Sequence, residues 1–297
     1  MVTHTEPETD KLFFEKLISI KWGDGYRCPR CGGLKYWLKA ERRIMICKGC
    51  RREISPMADT MFSRSHLSLK QWSDIVKLVT SSPDRVVTAS FVAREIGIGS
   101  YRTAWEALRK IRFAISTNEP RKKLDGNVEF DELVISGQGS DYSKLSILGA
   151  LEVAGEKRLS LQMIKNPDEM NIKDYLRKRF SRNTTIIIDP EKLYIRNWLE
   201  LNRIKQTSAK RIYGSNFMNL HVILEDIKYG LRNGHHGVSE KFLQENLDEY
   251  VFIFNHNDDR EKACEILLEY MVNTSIRKYR LAGKKNRTFL SILWGNN

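Results

Sequence analysis

The chain has 297 residues, 41% hydrophobic and 29% charged, which is ordinary for a folded soluble protein and leaves room for two to three domains. No apolar run approaches the roughly 18 residues of a membrane-spanning helix. The polar, acidic start MVTHTEPETD is unlike a signal peptide, so a cytoplasmic, nucleoid-associated location without membrane contact is expected. The net charge of +13 is uneven: 24 basic against 14 acidic residues up to Gly126, then 26 against 23 from Asn127 onward. An excess placed that way marks a polyanion-facing region, most often for nucleic acid, although a merely soluble basic surface carries the same count.

Residues 8–20 read as a short amphipathic helix with Leu12, Phe13, Leu17 and Ile18 on one side. A ribbon from about Tyr26 to Phe62 follows, in which Cys28-Pro-Arg-Cys31 and Cys47-Lys-Gly-Cys50 flank two β-prone runs and a polar turn. Two-residue spacing lets both thiolates of a knuckle reach one ion. Two such knuckles close a tetrahedral Zn²⁺ site with no open position, which makes it structural. The fifth cysteine, Cys264, sits on an apolar helical face and reads as core. Residues 1–64 are therefore taken as an N-terminal helix and zinc ribbon.

Residues 68–82 form the next helix, with Ser68 as its cap, and residues 88–115 read as helix, glycine-bearing turn, helix. Gly97 breaks the first of this pair. Ala104, Leu108 and Ile111 form the inner stripe of the second, which carries Arg102, Arg109, Lys110 and Arg112. This is the pattern of a helix-turn-helix whose second helix enters a major groove, and it is also that of a plain helical hairpin. The basic ribbon before it favours DNA, so residues 65–118 are expected to be a DNA-binding domain, with those four residues as its contacts. The polar stretch 116–126 is the linker.

Beyond it come three β-prone runs (127–136, 144–155, 157–164), a helix (167–180), an apolar strand ending at Asp189, and helical segments at 191–203, 216–231, 239–255 and 259–273. That order is an α/β layout with a mixed sheet. Asp131 lies inside the first strand and Asp189 ends the buried one, and a carboxylate in an apolar strand must be paired, hydrogen-bonded or metal-bound. If the two strands are neighbours, their acids face one gap, and hard oxygen ligands select Mg²⁺ or Mn²⁺. Asp189 is equally suited to cap a helix beginning at Pro190.

The motifs CPRCGG, CKGC, ISPMADTMFSRSHLSLKQW, YRTAWEALRKIR, DGNVEFDE, IIIDPEKLY, NGHHGVSEKFL and LDEYVFIFN follow one another from about residue 10 to 255. In that order they resemble a DDE-type insertion-sequence transposase of the zinc-ribbon group related to the eukaryotic Merlin elements. The resemblance implies a ribonuclease-H-like catalytic domain (126–256) and a C-terminal helix with a basic tail (257–297). It also implies two catalytic divalent ions, with transposon terminal inverted repeats and target DNA as partners and a homodimer or higher assembly on DNA. It makes Asp131 and Asp189 the first two catalytic acids. The sequence departs from the family pattern at Asp59, at His256-Asn257 and after Asp131-Glu132, where an aromatic residue is missing. A catalytically inactive descendant acting as a DNA-binding regulator is therefore the alternative, and a zinc-ribbon RNA nuclease a more distant one.

The family's last motif sets a third ligand seven residues before a basic residue, and counting back from Lys228 gives His221. Helical phase puts His221, Glu225 and Lys228 on one face, whereas Asp226 points about 100° away from Glu225. His221 is then the third ligand, a nitrogen donor better suited to Mn²⁺ than Mg²⁺, with Glu225 as a supporting neighbour and Lys228 meeting a phosphate. A hydrogen-bonded helix histidine is the plain alternative. His235 and His236 read as part of a tight loop, because adjacent histidines point apart.

Overall fold

The computed structural model describes residues 6–39, 42–82, 87–135, 145–165, 169–189, 191–192, 195, 197, 205–208, 211–212, 219–233 and 240–283. The chain forms two compact units, Met1–Ser82 with Val87–Asn118 and Asp259–Asn297, and Pro83–Val86 with Glu119–Asp258.

In the first unit, α1 (Glu6–Lys21) leads into a three-stranded antiparallel ribbon of β1 (Tyr36–Lys39), β2 (Ile44–Cys47) and β3 (Glu53–Ile54). Its core is Tyr26, Cys28, Met45, Cys47 and Ile54, against which Ile18 and Trp22 pack. Helix α2 (Leu69–Ser81) opens on a capping box: Gln71 N–H donates to the Ser68 hydroxyl at 3.0 Å, and Ser68 N–H donates to the Gln71 amide at 3.0 Å. Helix α3 (Ala89–Ile96) stops at Gly97, whose φ of 69° is left-handed, and Ile98 N–H returns to the Ala93 carbonyl. Helix α4 (Tyr101–Asn118) packs on α3. The C-terminal helix, expected from residue 257 as a segment of its own, is instead part of this unit. It follows β4–β8 and α5–α7 of the second unit, described next, and is numbered α8 (Arg260–Asn273); it packs on α1, α2 and α4 and accepts the Met61 N–H at the Met271 carbonyl.

In the second unit, β4 (Asn127–Ile135), β5 (Leu145–Glu152) and β6 (Leu159–Lys165) form an antiparallel meander. Helix α5 (Glu169–Arg179) then carries the chain to β7 (Thr185–Ile188), which lies parallel to β4, and β8 (Lys205–Ser208) lies parallel to β7. The sheet order β6-β5-β4-β7-β8 makes β4 the middle strand. Strand alternation divides it into two faces. Val128 and Phe130 join Leu148, Ala150, Ile186 and Ile188 under α5. Leu133, Ile147, Leu151 and Leu161 face α6 (Asn219–Asn233) and α7 (Glu240–Asn255). Strand β8, KQTS, has no apolar alternation and was not foreseen; of the helix expected at 191–203, the described positions 195 and 197 are helical and the rest lies outside the described residues.

The edge strand β6 is closed by side chains of α7. Asn255 exchanges hydrogen bonds with Leu159 N–H (2.8 Å) and its carbonyl (3.1 Å), and Gln244 accepts the Met163 N–H at 2.8 Å. These amides stand in for a neighbouring strand and blunt the edge.

Where β5 ends, Glu152 is buried and accepts from Asp125 N–H at 2.9 Å and from the Arg158 guanidinium at 2.6 Å. Burial alone would push the Glu152 carboxyl up, but the Arg158 guanidinium and the backbone N–H groups outweigh it and hold it below the usual carboxylate range. Its contribution to stability is full above the unfolded value of about 4.5 and is lost as pH falls through the lower folded value. The expected outcome is that Glu152→Gln costs about 3 kcal/mol at pH 7. The gap to the parent should narrow progressively below about pH 4, as read by urea unfolding at each pH.

Candidate functional site

The ribbon brings Cys28, Cys31, Cys47 and Cys50 together, with all four sulfurs within 4.8 Å of one another. The Cys28–Cys50 and Cys31–Cys47 Sγ pairs are each 3.6 Å apart. A tetrahedral ion with Zn–S bonds of about 2.3 Å spaces its sulfurs about 3.8 Å apart, so the four thiols fit Zn²⁺. The knuckles are two copies of one turn. Gly32 N–H returns to the Cys28 carbonyl and Arg51 N–H to the Cys47 carbonyl, each at 3.0 Å. Gly32 (φ 71°) and Arg51 (φ 60°) are both left-handed there. Arg51 carries that conformation with its guanidinium 4.4 Å from the centre of the Trp37 ring.

The second site lies on the α6 side of the central strand. Glu129, Asp131 and Leu133 share that side of β4, and Glu129 and Asp131 are 0% and 1% exposed. Parallel pairing sets Glu129 beside Ile187 in the last pair of the β4–β7 ladder, and Asp189 follows directly after the end of β7 at Ile188. Asp189 also accepts the Glu191 N–H at 2.9 Å, the turn-forming role that its sequence equally allowed. Helix α6 supplies His221, whose Nδ1 is 3.5 Å from Asp131 Oδ2. Glu225 is paired with Lys228 at 2.8 and 3.0 Å, one turn along and more exposed.

Three residues that sequence reasoning passed over hold this geometry. Glu129 accepts the Leu220 N–H at 2.7 Å, fixing the first turn of α6 with a negative charge where the helix dipole favours one. The signal was present, since the rule that drew attention to Asp131 applies to a carboxylate two residues earlier. Gly149 stands directly opposite Asp131 on β5, and a Cβ there would lie 3.1 Å from both Leu220 and Leu224. A glycine inside a strand is the usual mark of such close approach. Lys192, which no motif flagged, donates from Nζ to Asp131 Oδ1 and, at 3.1 Å, to the Glu132 carbonyl.

The residues expected to meet DNA divide. Arg102 is exposed on the first turn of α4. Arg109 is half-buried, its guanidinium 5.2 Å from the Trp105 ring and 5.4 Å from Tyr279. Lys110 and Arg112 are a correction. They are 4% and 7% exposed, and they donate to the carbonyls of Ser63 and Val87 at 2.9 Å each. Helix α4 is packed on more than one side, so basic residues beside its apolar stripe are drawn inward to satisfy loop carbonyls. His235 and His236 lie outside the described residues.

Gly149→Ala is expected to cost about 1–3 kcal/mol, because Leu220 and Leu224 must move by a few tenths of an ångström and α6 with them. Differential scanning calorimetry reads the loss. A melting temperature within one degree of the parent would show that α6 does not depend on this contact.

A family model described as a transposase zinc-ribbon domain matches residues 8–53. No curated protein matches the chain. The match covers the ribbon and the helix before it and supports a transposase with an N-terminal zinc ribbon.

Proposed function

We propose that the chain is a DDE-type transposase that binds the ends of its element and catalyses metal-dependent DNA cleavage and strand transfer. The observation that carries this is His221 on α6 with its Nδ1 3.5 Å from the buried Asp131 of the central strand, in a chain whose first residues match a transposase zinc ribbon; Asp189, just past the end of the neighbouring strand β7, is the second acid of this reading. The strand order, three antiparallel then two parallel with β4 in the middle, supports a ribonuclease-H-like domain. The packed pair α3 and α4 supports a helix-turn-helix, with exposed Arg102 as its phosphate contact. Two ends must be held together for joining, so a dimer or larger assembly on DNA goes with this activity.

The donor set fits a divalent cation. Asp131 is a buried carboxylate, and a lysine ammonium and the His221 ring already stand against it, so it is a position that holds a cationic partner. Asp131 and Asp189 would supply hard oxygens and His221 a neutral ring nitrogen, with Glu225 one turn away as an outer partner. Mg²⁺ or Mn²⁺ bound there supplies the Lewis acid that activates water or a DNA 3′-hydroxyl and stabilises the leaving oxygen. The chain's own groups do the positioning. Glu129 fixes the start of α6, Gly149 lets that helix approach, and both set the His221 ring against Asp131.

A second function has one specific observation in its favour. If Lys192 neutralises Asp131 permanently, the same fold is a DNA-binding regulator without catalysis.

The test incubates the full chain with labelled terminal-repeat DNA and Mn²⁺ or Mg²⁺ and follows nicking and strand transfer. Asp131→Asn is expected to lower the rate about a thousandfold or more, since a metal-ligating carboxylate contributes several kcal/mol to the transition state. Expected for the α6 series is near-complete loss with His221→Ala, partial loss with Glu225→Ala and little change with Asp226→Ala. Tight binding of the ends with no metal-dependent nicking would sink the catalytic function and leave the regulator.

A further inference from the structure

The face of the sheet away from Asp131 carries a cavity of its own. It lies between the edge strand β6 and α5, has a volume of about 660 Å³, and is lined by Arg121, Lys165, Lys178 and Arg179 together with Gln162 and Tyr175. None of the residues that surround Asp131 takes part. The volume falls within the usual range of small-ligand pockets and exceeds that of a single tetrahedral anion.

Arg179 is the uncommon element. It is 8% exposed, and among the described residues its guanidinium has no hydrogen bond or ion pair. Burying a guanidinium without a hydrogen-bonded partner is costly, and the nearby Asp248 and Tyr175 offset that only in part. Burial pushes Arg179 down from its ordinary value; Tyr175 and Asp248 act against that shift and Arg121 adds to it. The other three cations of the lining are exposed to about half or more: Arg121 48%, Lys165 54%, Lys178 68%. Each already has an acidic neighbour, with Asp248 at 3.6 Å from Arg121 and Glu240 and Asp174 at 2.6 Å from Lys165 and Lys178. The Lys165 and Lys178 pairs are exposed and of the kind that holds weakly and exchanges readily, whereas Arg121 answers the buried Asp248. The site thus combines one buried guanidinium without a hydrogen bond among the described residues and three further cations lining the same cavity, with Asp174 among the lining residues.

We propose that this cavity binds a phosphodiester of a nucleic-acid backbone, with Arg179 taking the phosphate oxygens. A planar guanidinium matches two phosphate oxygens at once. Four cations lining one cavity of about 660 Å³ suit a chain of phosphates better than a single free one. The choice of a nucleic acid rests on the proposed function, whereas the anion site rests on Arg179 and the cavity alone. Because the cavity opens on the α5 side and Asp131 on the α6 side, the segment held here is distinct from the one presented to the acids.

Fluorescence anisotropy of a labelled 30-base-pair duplex of arbitrary sequence, with the full chain and without divalent metal, tests this apart from catalysis. Arg179→Gln is expected to weaken binding about tenfold, equally for unrelated sequences, and to lower the slope of log K against log salt by about one. Lys165→Gln with Lys178→Gln, at exposed positions whose acidic partners are also exposed, is expected to do the same and tests the site should Arg179→Gln fail to fold. Exchanging chloride for inorganic phosphate at equal ionic strength should weaken the parent and leave Arg179→Gln unchanged. If folded variants bind DNA within twofold of the parent with the same slope, the nucleic-acid site is refuted. Stabilisation by inorganic phosphate without any change in DNA binding would overturn it in favour of a free phosphate compound. Equal competition by polyglutamate would overturn it in favour of an acidic peptide. Loss of nicking in the separate metal-dependent assay, with the salt slope still altered, would refute catalysis and leave this site standing.

Discussion

Burying Asp131 in the middle strand of a five-stranded sheet creates a charge that its surroundings must answer. Left alone, a buried carboxylate costs on the order of several kcal/mol. The chain answers with Lys192 from beyond β7 and His221 from the first turn of α6. Delivering His221 requires that α6 start at a defined place and lie close to the sheet. Glu129 sets the first condition and Gly149 the second. One acid in one strand thus accounts for an acid two residues before it, a glycine across from it, and the seat of a helix some ninety residues later.

Much of this was legible in the residues, for identifiable reasons. The four cysteines announce their site because metal geometry fixes their spacing. The strands β4 to β7 announce themselves because both faces of the sheet are covered, which demands apolar residues almost throughout. His221 was reached by counting from Lys228 and by helical phase, and the fold sets it 3.5 Å from Asp131. What stayed hidden depends on tertiary partners. Strand β8 has four polar residues and exists because β7 offers it an edge. Lys192 acquires its partner only when β4 and β7 pair. Lys110 and Arg112 looked like a phosphate-facing strip because basic residues at helical spacing normally face water, and their burial reflects loop carbonyls that no periodicity reveals.

The two units handle charge differently. In the first, buried cations are spent on backbone carbonyls, which rigidifies the packing of α4 against its loops. In the second, Asp131 is buried against Lys192 and His221 on one side of the sheet, and Arg179 is buried without a hydrogen bond among the described residues on the other. Native interiors rarely leave such groups without a use, because the same energy gained by pairing them is available to a ligand. The acid side attracts cations and the α5 side attracts anions.

Anomalous diffraction from crystals grown with Mn²⁺ tests the central claim most directly. The account predicts a peak bounded by Asp131, Asp189 and His221, with the Lys192 ammonium displaced from Asp131. A map with no peak there, and with Lys192 still seated on Asp131 at saturating Mn²⁺, would contradict it.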